Sequence, residues 1–121
     1  MPLITVDYTD RLAGAFDRRG FGLALNRLAV KLLDAKADSC KTRFRRTEEA
    51  VVGADAETFA LVAIGVEIFP GRSAAAKAAL SEAVLAALPA YLGAGAGPVQ
   101  ATVAVGELDS AAYRSATLGL G

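Results

Sequence analysis

The chain has 121 residues, of which 54% are hydrophobic, and its 13 basic and 13 acidic residues leave no formal net charge. This length predicts one domain, and the charge balance argues against nucleic acid as a partner because phosphate binding needs a basic excess. No apolar run reaches the roughly 18 residues of a membrane span, and no basic segment followed by an apolar one marks a secretory leader. We therefore expect a cytoplasmic protein that does not associate with membranes.

The side-chain inventory restricts the chemistry further. The chain contains no histidine and a single cysteine, Cys40. Ser-His-Asp and Cys-His catalytic arrangements are therefore excluded, and so are histidine-ligated metals and ordinary zinc sites. Proton transfer must fall to carboxylates, lysine, tyrosine, Cys40 or an N-terminal amine. Cys40 stands beside the start of an apolar strand and is predicted to be a small buried hydrophobe.

The first half of the chain predicts a strand, a helix and a second strand. Residues 2–8 are rich in β-branched side chains, which is typical of a strand, and 9–20 predict a loop. Alternation divides the strand into two faces, with Leu3, Thr5 and Asp7 on one and Ile4, Val6 and Tyr8 on the other. A helix over about 19–36 is predicted by helical spacing of Phe21, Leu25, Leu28 and Leu32. The more polar segment 40–46 predicts the second strand, and 47–57 an acidic loop.

The second half repeats this order. Residues 58–69 predict an almost continuous apolar strand, and Ser73 is predicted to cap the helix that follows. The helix is expected over 74–92, with Leu80, Val84, Leu88 and Leu92 on one stripe. Pro89 should kink or end it. Residues 93–97 predict a flexible turn and 98–108 the last long strand, while the tail could include one more short strand.

Two strand-helix-strand units offset by roughly 55–58 residues suggest a structural duplication. We expect one α/β (α+β) domain with halves at about 1–57 and 58–121, forming a four-stranded mixed sheet with both helices on one face. The strands at 58–69 and 98–108 are apolar on both sides, as in strands that are buried on both faces. Because a monomer cannot cover the second face, the sequence predicts a homo-oligomer.

Two basic features are candidate anion sites. In the strand 40–46, Lys41, Arg43 and Arg45 share one face and form either a solvated edge strand or a wall that binds carboxylates. Arg72 lies in the turn before the second helix, where the helix N-terminus favours anions. It is otherwise an exposed turn arginine.

Pro2 is the candidate acid–base group. Met1 is usually removed when a small residue follows, and its removal would leave a secondary amine at Pro2. An α-amino group has a pKa of about 7.7–8.0 that nearby cations lower, so such an amine can act as a base near neutral pH. If Met1 stays, the Pro2 nitrogen is an amide and cannot act as a base. The alternative is that Pro2 only begins a strand, where its missing N–H costs nothing.

The Met-Pro start on a strand, the duplicated plan and the sequence IFPGRS before a helix resemble the tautomerase superfamily. The K-T-R at 41–43 is most similar to the 5-carboxymethyl-2-hydroxymuconate isomerases of that superfamily. The resemblance implies a homotrimer with sheets around a central axis, and Pro2 as the acid–base catalyst. It also implies that Arg72 and Arg43 bind substrate carboxylates. Lys41 stands where the family has arginine, which keeps the charge but loses the bidentate fork.

The resemblance implies an isomerase that needs no metal or cofactor and shifts a proton in a 2-hydroxy-dienoate carrying several carboxylates. Two alternatives remain open. One is another activity on the same scaffold, such as a phenylpyruvate-type tautomerase or a dehalogenase. The other is a trimeric binding or signalling protein that has kept the fold without catalysis.

Overall fold

The computed structural model describes residues 1–120 and consists of one sheet and two main helices. The elements in chain order are β1 (Leu3–Thr9), α1 (Arg18–Leu33), β2 (Lys41–Thr47), β3 (Ala60–Ile68), α2 (Ala74–Ala87) and β4 (Val99–Glu107). The strand order is β2-β1-β3-β4. Strands β1 and β2 are parallel, β3 and β4 are parallel, and β1 is antiparallel to β3. The predicted four-stranded mixed sheet with two helices is confirmed.

The central joint of the sheet is the antiparallel pair β1 and β3. Val6 lies opposite Ile64 in this pair, and both side chains are buried. Each half of the chain supplies one strand to the joint and one strand to an outer edge. The division of the domain into halves at residue 57 stays a prediction.

The core lies between the sheet and the helices, and the strand alternation follows the prediction. Ile4, Val6 and Tyr8 are buried, while Leu3, Thr5 and Asp7 are only partly covered. An aromatic cluster fills one end of this layer, with ring centroids 5.6–6.5 Å apart. Its members are Tyr8, Phe16, Phe21, Phe44 and Tyr91. Such offset and edge contacts stabilise a core beyond the burial of their area.

The predicted stripe of the first helix is partly wrong. The buried residues of α1 are Phe21, Ala24, Leu25, Ala29 and Leu33. Leu32 is 38% exposed. Residues four apart lie one above the other on a helix, so the buried row continues from Leu25 through Ala29 to Leu33. The buried row therefore passes through the small Ala29 and not through the predicted Leu28 and Leu32.

Both helices end earlier than predicted. Asp34, with φ 53°, adopts the left-handed conformation that commonly ends a helix, so α1 stops at Leu33. α2 ends at Ala87, and Pro89 lies in a 3₁₀ turn over Leu88–Tyr91, as its missing N–H requires. The predicted cap is confirmed, since Ser73 Oγ accepts a hydrogen bond from Ala76 N at 3.1 Å. No helix within residues 1–120 combines the length and the apolar character needed to cross a membrane.

Two irregular segments differ from the prediction. The segment 93–97 contains a 3₁₀ turn at Ala94–Ala96, with Gly97 at φ 67°. Residues 108–120 contain a 3₁₀ turn at Ser110–Ala112 and no strand. The tail therefore adds no strand to the described part of the sheet.

The sheet face opposite the helices, called here the open face, is less apolar than predicted. The residues of β4 on this face are Gln100, Thr102, Ala104 and Gly106, which are all exposed. The valines of β4 lie on the other face and pack against the core. The prediction that this strand is apolar on both sides is wrong, because its apolar open-face positions are only alanine and glycine. The open face carries basic side chains along β2 and mostly small residues along β4.

Candidate active site at the N-terminal end of β1

A pocket of about 240 Å³ lies on the open face where β1 and β2 begin and β3 ends. Its lining residues are Leu3, Ile4, Thr5, Lys41, Thr42, Arg43 and Glu67. We call it the face pocket. The parallel register of β1 and β2 places Leu3 beside Lys41 and Thr5 beside Arg43. The side chains of Lys41 and Arg43, which belong to an edge strand, therefore lie beside the small and mostly apolar floor of the pocket.

Lys41 and Arg43 have no carboxylate partner within residues 1–120, unlike their strand neighbour Arg45. Arg45 forms a two-point ion pair with Asp7, at 2.7 and 3.1 Å. Arg43 instead donates its Nε hydrogen to Thr5 Oγ1 at 3.2 Å. This bond orients the guanidinium and leaves both terminal nitrogens available. Two such nitrogens match the two oxygens of a carboxylate. Lys41, Arg43 and Arg45 share one face as predicted, but Arg45 is paired with Asp7, so only Lys41 and Arg43 are available to bind an anion.

The structure does not place Arg72 in the face pocket. Its guanidinium donates to the carbonyl oxygen of Leu33, the last residue of α1. A cation is favourable there because the helix C-terminus carries partial negative charge. Arg72 lines a separate pocket of about 200 Å³ with Met1, Asp34 and Phe69 among its walls. We call it the Arg72 pocket. Arg72 therefore has a structural contact as well as an accessible position.

A third pocket, of about 400 Å³, shares a lining residue with each of the other two, and we call it the tail pocket. It is lined by Met1, Asp38, Ser39, Lys41, Phe69, Tyr113, Ser115, Ala116 and Thr117. Lys41 also lines the face pocket, while Met1 and Phe69 also line the Arg72 pocket. The three pockets therefore share wall residues near the start of β1.

Pro2 is buried, and it lies in sequence between Met1, which lines the Arg72 and tail pockets, and Leu3, which lines the face pocket. Its carbonyl oxygen accepts a hydrogen bond from Lys41 N at 3.2 Å, which fixes the start of β1 against β2. Alternation places its ring on the helix side of the sheet, whereas Lys41 and Arg43 point to the open face. Met1 donates its amino group to the Ser39 carbonyl oxygen at 2.8 Å. Met1 therefore occupies the junction of the Arg72 and tail pockets, directly beside Pro2.

Three residues at this site were not predicted from the sequence. Phe69 and Tyr113 meet edge to face, with ring centroids 5.5 Å apart, and both line the tail pocket. Glu67 places a carboxylate in the face pocket. Nothing local distinguishes Tyr113, because its approach to Phe69 depends on the path of the tail. Glu67 had a detectable signal, as the only charged residue in an otherwise apolar strand.

Cys40 is buried as predicted, with 6% of its surface exposed. Burial raises the pKa of its thiol, and the nearby N-terminal amine opposes this in part. A raised pKa keeps the sulfur protonated, and a protonated thiol is a poor nucleophile. Within residues 1–120 no cluster of three or more acidic or cysteine side chains is arranged to hold a metal ion. The available chemistry at the site is that of cations, carboxylates and the chain's N-terminus.

Comparison with solved structures identifies the fold. A 5-carboxymethyl-2-hydroxymuconate isomerase from Deinococcus radiodurans R1 superposes with a TM-score of 0.79 at 22% identity, over 95% of this chain and 88% of that one. The FG41 malonate semialdehyde decarboxylase gives a TM-score of 0.69 at 21% identity, over 98% and 90%. The chain has the tautomerase-superfamily fold. This confirms the fold that the sequence resemblance implied.

A third similar structure is a fused 4-OT symmetric trimer, Q0, with a TM-score of 0.62 and 24% identity, covering 85% of this chain and 84% of that one. The sequence matches no protein-family model, and comparison with curated proteins gives no significant match. The tautomerase fold is thus recognised through its three-dimensional structure and through short motifs. At these identities the likeness establishes the fold alone.

The raised pKa of Cys40 gives a pH-dependent prediction. A thiol whose pKa is higher in the folded than in the unfolded state stabilises the fold fully below its unfolded pKa. That contribution is lost as the pH rises through the folded pKa. We expect the free energy of unfolding of the unaltered protein, measured by urea unfolding, to fall between pH 8 and pH 10 because of Cys40, and we expect Cys40→Ala to abolish this part of the fall.

The burial of Cys40 also predicts slow alkylation. At pH 8.5, alkylation of Cys40 should be at least about tenfold slower in the native protein than in urea. Equal alkylation rates would contradict the burial of the thiol.

Proposed function

We propose that the protein is a cofactor-independent isomerase that shifts a proton in a 2-hydroxy-dienoate polycarboxylate such as 5-carboxymethyl-2-hydroxymuconate. The observation that carries the proposal is that Lys41, Arg43 and Arg72 line pockets whose walls include Met1 or Leu3, the two sequence neighbours of Pro2. A substrate with several carboxylates needs several cations around one proton carrier. The fold shared with a 5-carboxymethyl-2-hydroxymuconate isomerase supports the same choice.

In this proposal, removal of Met1 creates the acid–base group. It frees the Pro2 nitrogen as a secondary amine and clears the junction that Met1 occupies between the Arg72 and tail pockets. Lys41 lines the tail pocket and Arg72 lines the Arg72 pocket, and Met1 is a wall residue of both. Their positive charges disfavour a second cation, so they lower the pKa of the amine and keep it unprotonated near neutral pH.

The reaction moves one proton. The Pro2 amine takes the proton of the substrate's 2-hydroxyl, and the negative charge that develops spreads over the oxygen and the conjugated chain. The protonated amine then delivers a proton to a distant carbon, which gives the conjugated 2-oxo isomer. Arg43, Arg72 and Lys41 stabilise the charge as it develops, with no change of oxidation state.

We propose that the protein acts as a homotrimer. The open face has a strip of small side chains along β4 and a partly covered middle, and a partner chain would bury this surface. The similarity to a fused 4-OT symmetric trimer supports the number three. For a chain of 12.4 kDa, sedimentation equilibrium should give three times that mass, and a monomer at micromolar concentration would contradict the proposal.

A second activity is favoured by the similarity to malonate semialdehyde decarboxylase, which acts within the same fold. Because a decarboxylase has the same fold, the fold alone does not determine that the reaction is an isomerisation. Phenylpyruvate-type tautomerisation, dehalogenation and decarboxylation are therefore the alternatives for the substrate panel. A trimeric binding protein without catalysis is the alternative of a different class.

The decisive test compares the Met1-free protein with its Pro2→Ala variant and with protein that retains Met1, each verified by intact mass. We expect ultraviolet-monitored isomerisation of 5-carboxymethyl-2-hydroxymuconate by the Met1-free protein only. The other two lack a free proline amine and should lose at least about 100-fold in kcat/KM, as expected for loss of an acid–base group. Turnover that is equal in all three would remove Pro2 from the mechanism. No turnover by any would transfer the search to the alternative substrates.

The cations can be tested separately from the amine. Arg72→Ala should lower kcat/KM by roughly 10–1000-fold, because a carboxylate clamp or oxyanion donor is lost. Arg43→Ala should have an effect in the same range, and Lys41→Arg should preserve activity because it keeps the charge. Arg45→Ala is the matched control, since Arg45 lies on the same strand but is neutralised by Asp7. Equal losses in Arg45→Ala and Arg43→Ala would indicate a general effect of charge rather than a substrate contact.

A further inference from the structure

A second group of cations lies at the end of β1 that is remote from Pro2. Tyr8 is six residues beyond Pro2 along the strand, a distance of roughly 20 Å. It lies beside Arg46 in the parallel register of β1 and β2, and it is buried on the helix side of the sheet. Arg46 donates its Nε hydrogen to the Tyr8 hydroxyl oxygen at 3.3 Å, so Arg46 lies on the same side. The proposed homotrimer would bury the opposite, open face.

Arg18, the first residue of α1, meets Arg46 at the same hydroxyl oxygen. Its Nη1 donates to the Tyr8 oxygen, and its guanidinium carbon lies 5.1 Å from the centroid of the Tyr8 ring. Because the Tyr8 side chain belongs to the core, its oxygen has a fixed position. Two guanidinium groups from different elements are thus held against one atom. We call Arg18 and Arg46 the arginine pair.

The arginine pair keeps both net charge and unused hydrogen-bond donors. Asp10 is the only carboxylate that lies within 4.0 Å of either guanidinium within residues 1–120, at 3.3 Å from Arg46 Nε. Both terminal nitrogens of Arg46, and Nε and Nη2 of Arg18, donate to no protein group in that range. The Arg46 side chain is half exposed, so an ion from solvent can reach it. One positive charge of the pair is left without a carboxylate.

The start of α1 adds to this positive charge. Arg18 and Arg19 occupy the first turn of the helix, which contains no acidic residue. A helix N-terminus carries partial positive charge, so cations there are unfavourable and anions are favoured. The carboxylate of the N-cap residue, Asp17, is engaged with Gly20 N at 3.0 Å. An anion held by the arginine pair would offset a repulsion that the chain alone leaves in place.

The number of donors indicates the class of anion. One guanidinium group is sufficient for the two oxygens of a carboxylate. Two guanidinium groups that approach from different elements match an anion with more acceptor oxygens and more than one negative charge. A phosphate group has at least three acceptor oxygens and close to two negative charges near neutral pH.

We propose that Arg18 and Arg46 form a binding site for a phosphate group. The phosphate oxygens accept hydrogen bonds from the unused guanidinium N–H groups and replace Asp10 as the partner of Arg46. The ligand is either the phosphate ion itself or the phosphate end of a small ester. The site is separate from the candidate active site, and it goes beyond the proposed isomerisation without depending on it.

Calorimetry on the folded protein at pH 7.5 tests the proposal, at low salt because ions screen exposed charges. We expect inorganic phosphate to bind saturably at one site per chain, with a Kd on the order of 1 mM. Acetate should bind at least about fivefold more weakly, because it brings one charge and two oxygens. Glycerol 3-phosphate distinguishes the two sources. Tighter binding than that of inorganic phosphate indicates an ester as the ligand, and equal or weaker binding indicates the ion.

Substitutions identify the residues that hold the phosphate. Arg18→Gln and Arg46→Gln should each weaken phosphate binding at least about tenfold, because each removes charge-assisted hydrogen bonds. Arg19→Gln is the matched control, since it removes the same charge from the same helical turn and Arg19 does not contact Tyr8. It should weaken binding no more than about twofold. Asp10→Asn should instead tighten binding about threefold, because it removes the carboxylate that competes for Arg46.

Three results would overturn the inference. If phosphate does not bind saturably to the folded protein, the arginine pair is not an anion site. Equal losses in Arg19→Gln and Arg46→Gln would indicate general attraction to a basic surface. Binding that survives Arg46→Gln but disappears in Arg43→Ala or Arg72→Ala would place the phosphate in the candidate active site. None of these measurements uses turnover, so failure of the proposed isomerase is judged separately by the comparison with Pro2→Ala.

Discussion

The structure depends on the antiparallel pairing of β1 with β3. This is the contact that joins two strand-helix-strand units into one sheet, with Val6 and Ile64 buried at its centre. Because it joins the units in opposite directions, the start of β1 lies beside the end of β3. That geometry brings Glu67 from the second half of the chain to the lysine and arginine of the first half. The candidate site therefore arises from how the two halves are joined, and neither half contains it alone.

The same arrangement gives the cations of β2 different neighbours, so that some are paired with a carboxylate and others are not. Arg45 is neutralised by the neighbouring Asp7, which leaves the middle of the β2 edge with little net charge. Lys41 and Arg43 stand beside Leu3 and Thr5, which offer no negative charge. Their unbalanced charge is therefore concentrated near the start of β1. A surface salt bridge contributes little stability, but here its position decides where an anion is attracted.

The sequence predicted the strands, the helices and the order of the elements, because each has a clear periodicity and clear boundary residues. Ser73 and Pro89 marked a helix start and a helix end through their own chemistry. The end of α1 was missed, since Asp34 in a left-handed conformation leaves no sign as strong as glycine. In the site, the shared face of Lys41 and Arg43 followed from alternation along one strand. The contact of Arg72 with Leu33 and the approach of Tyr113 to Phe69 depend on long-range packing that local patterns do not encode.

The start of the chain and the tail segment 115–117 come to the same place. Met1 and the segment 115–117 line one pocket, although they are separated by almost the whole sequence. An affinity tag placed before Met1 therefore begins at a wall residue of this pocket. Such a tag also prevents the removal of Met1 on which the proposed Pro2 amine depends, whereas a tag after the tail does not. For purification of this protein, the choice of the tagged end therefore bears directly on the test of the proposed chemistry.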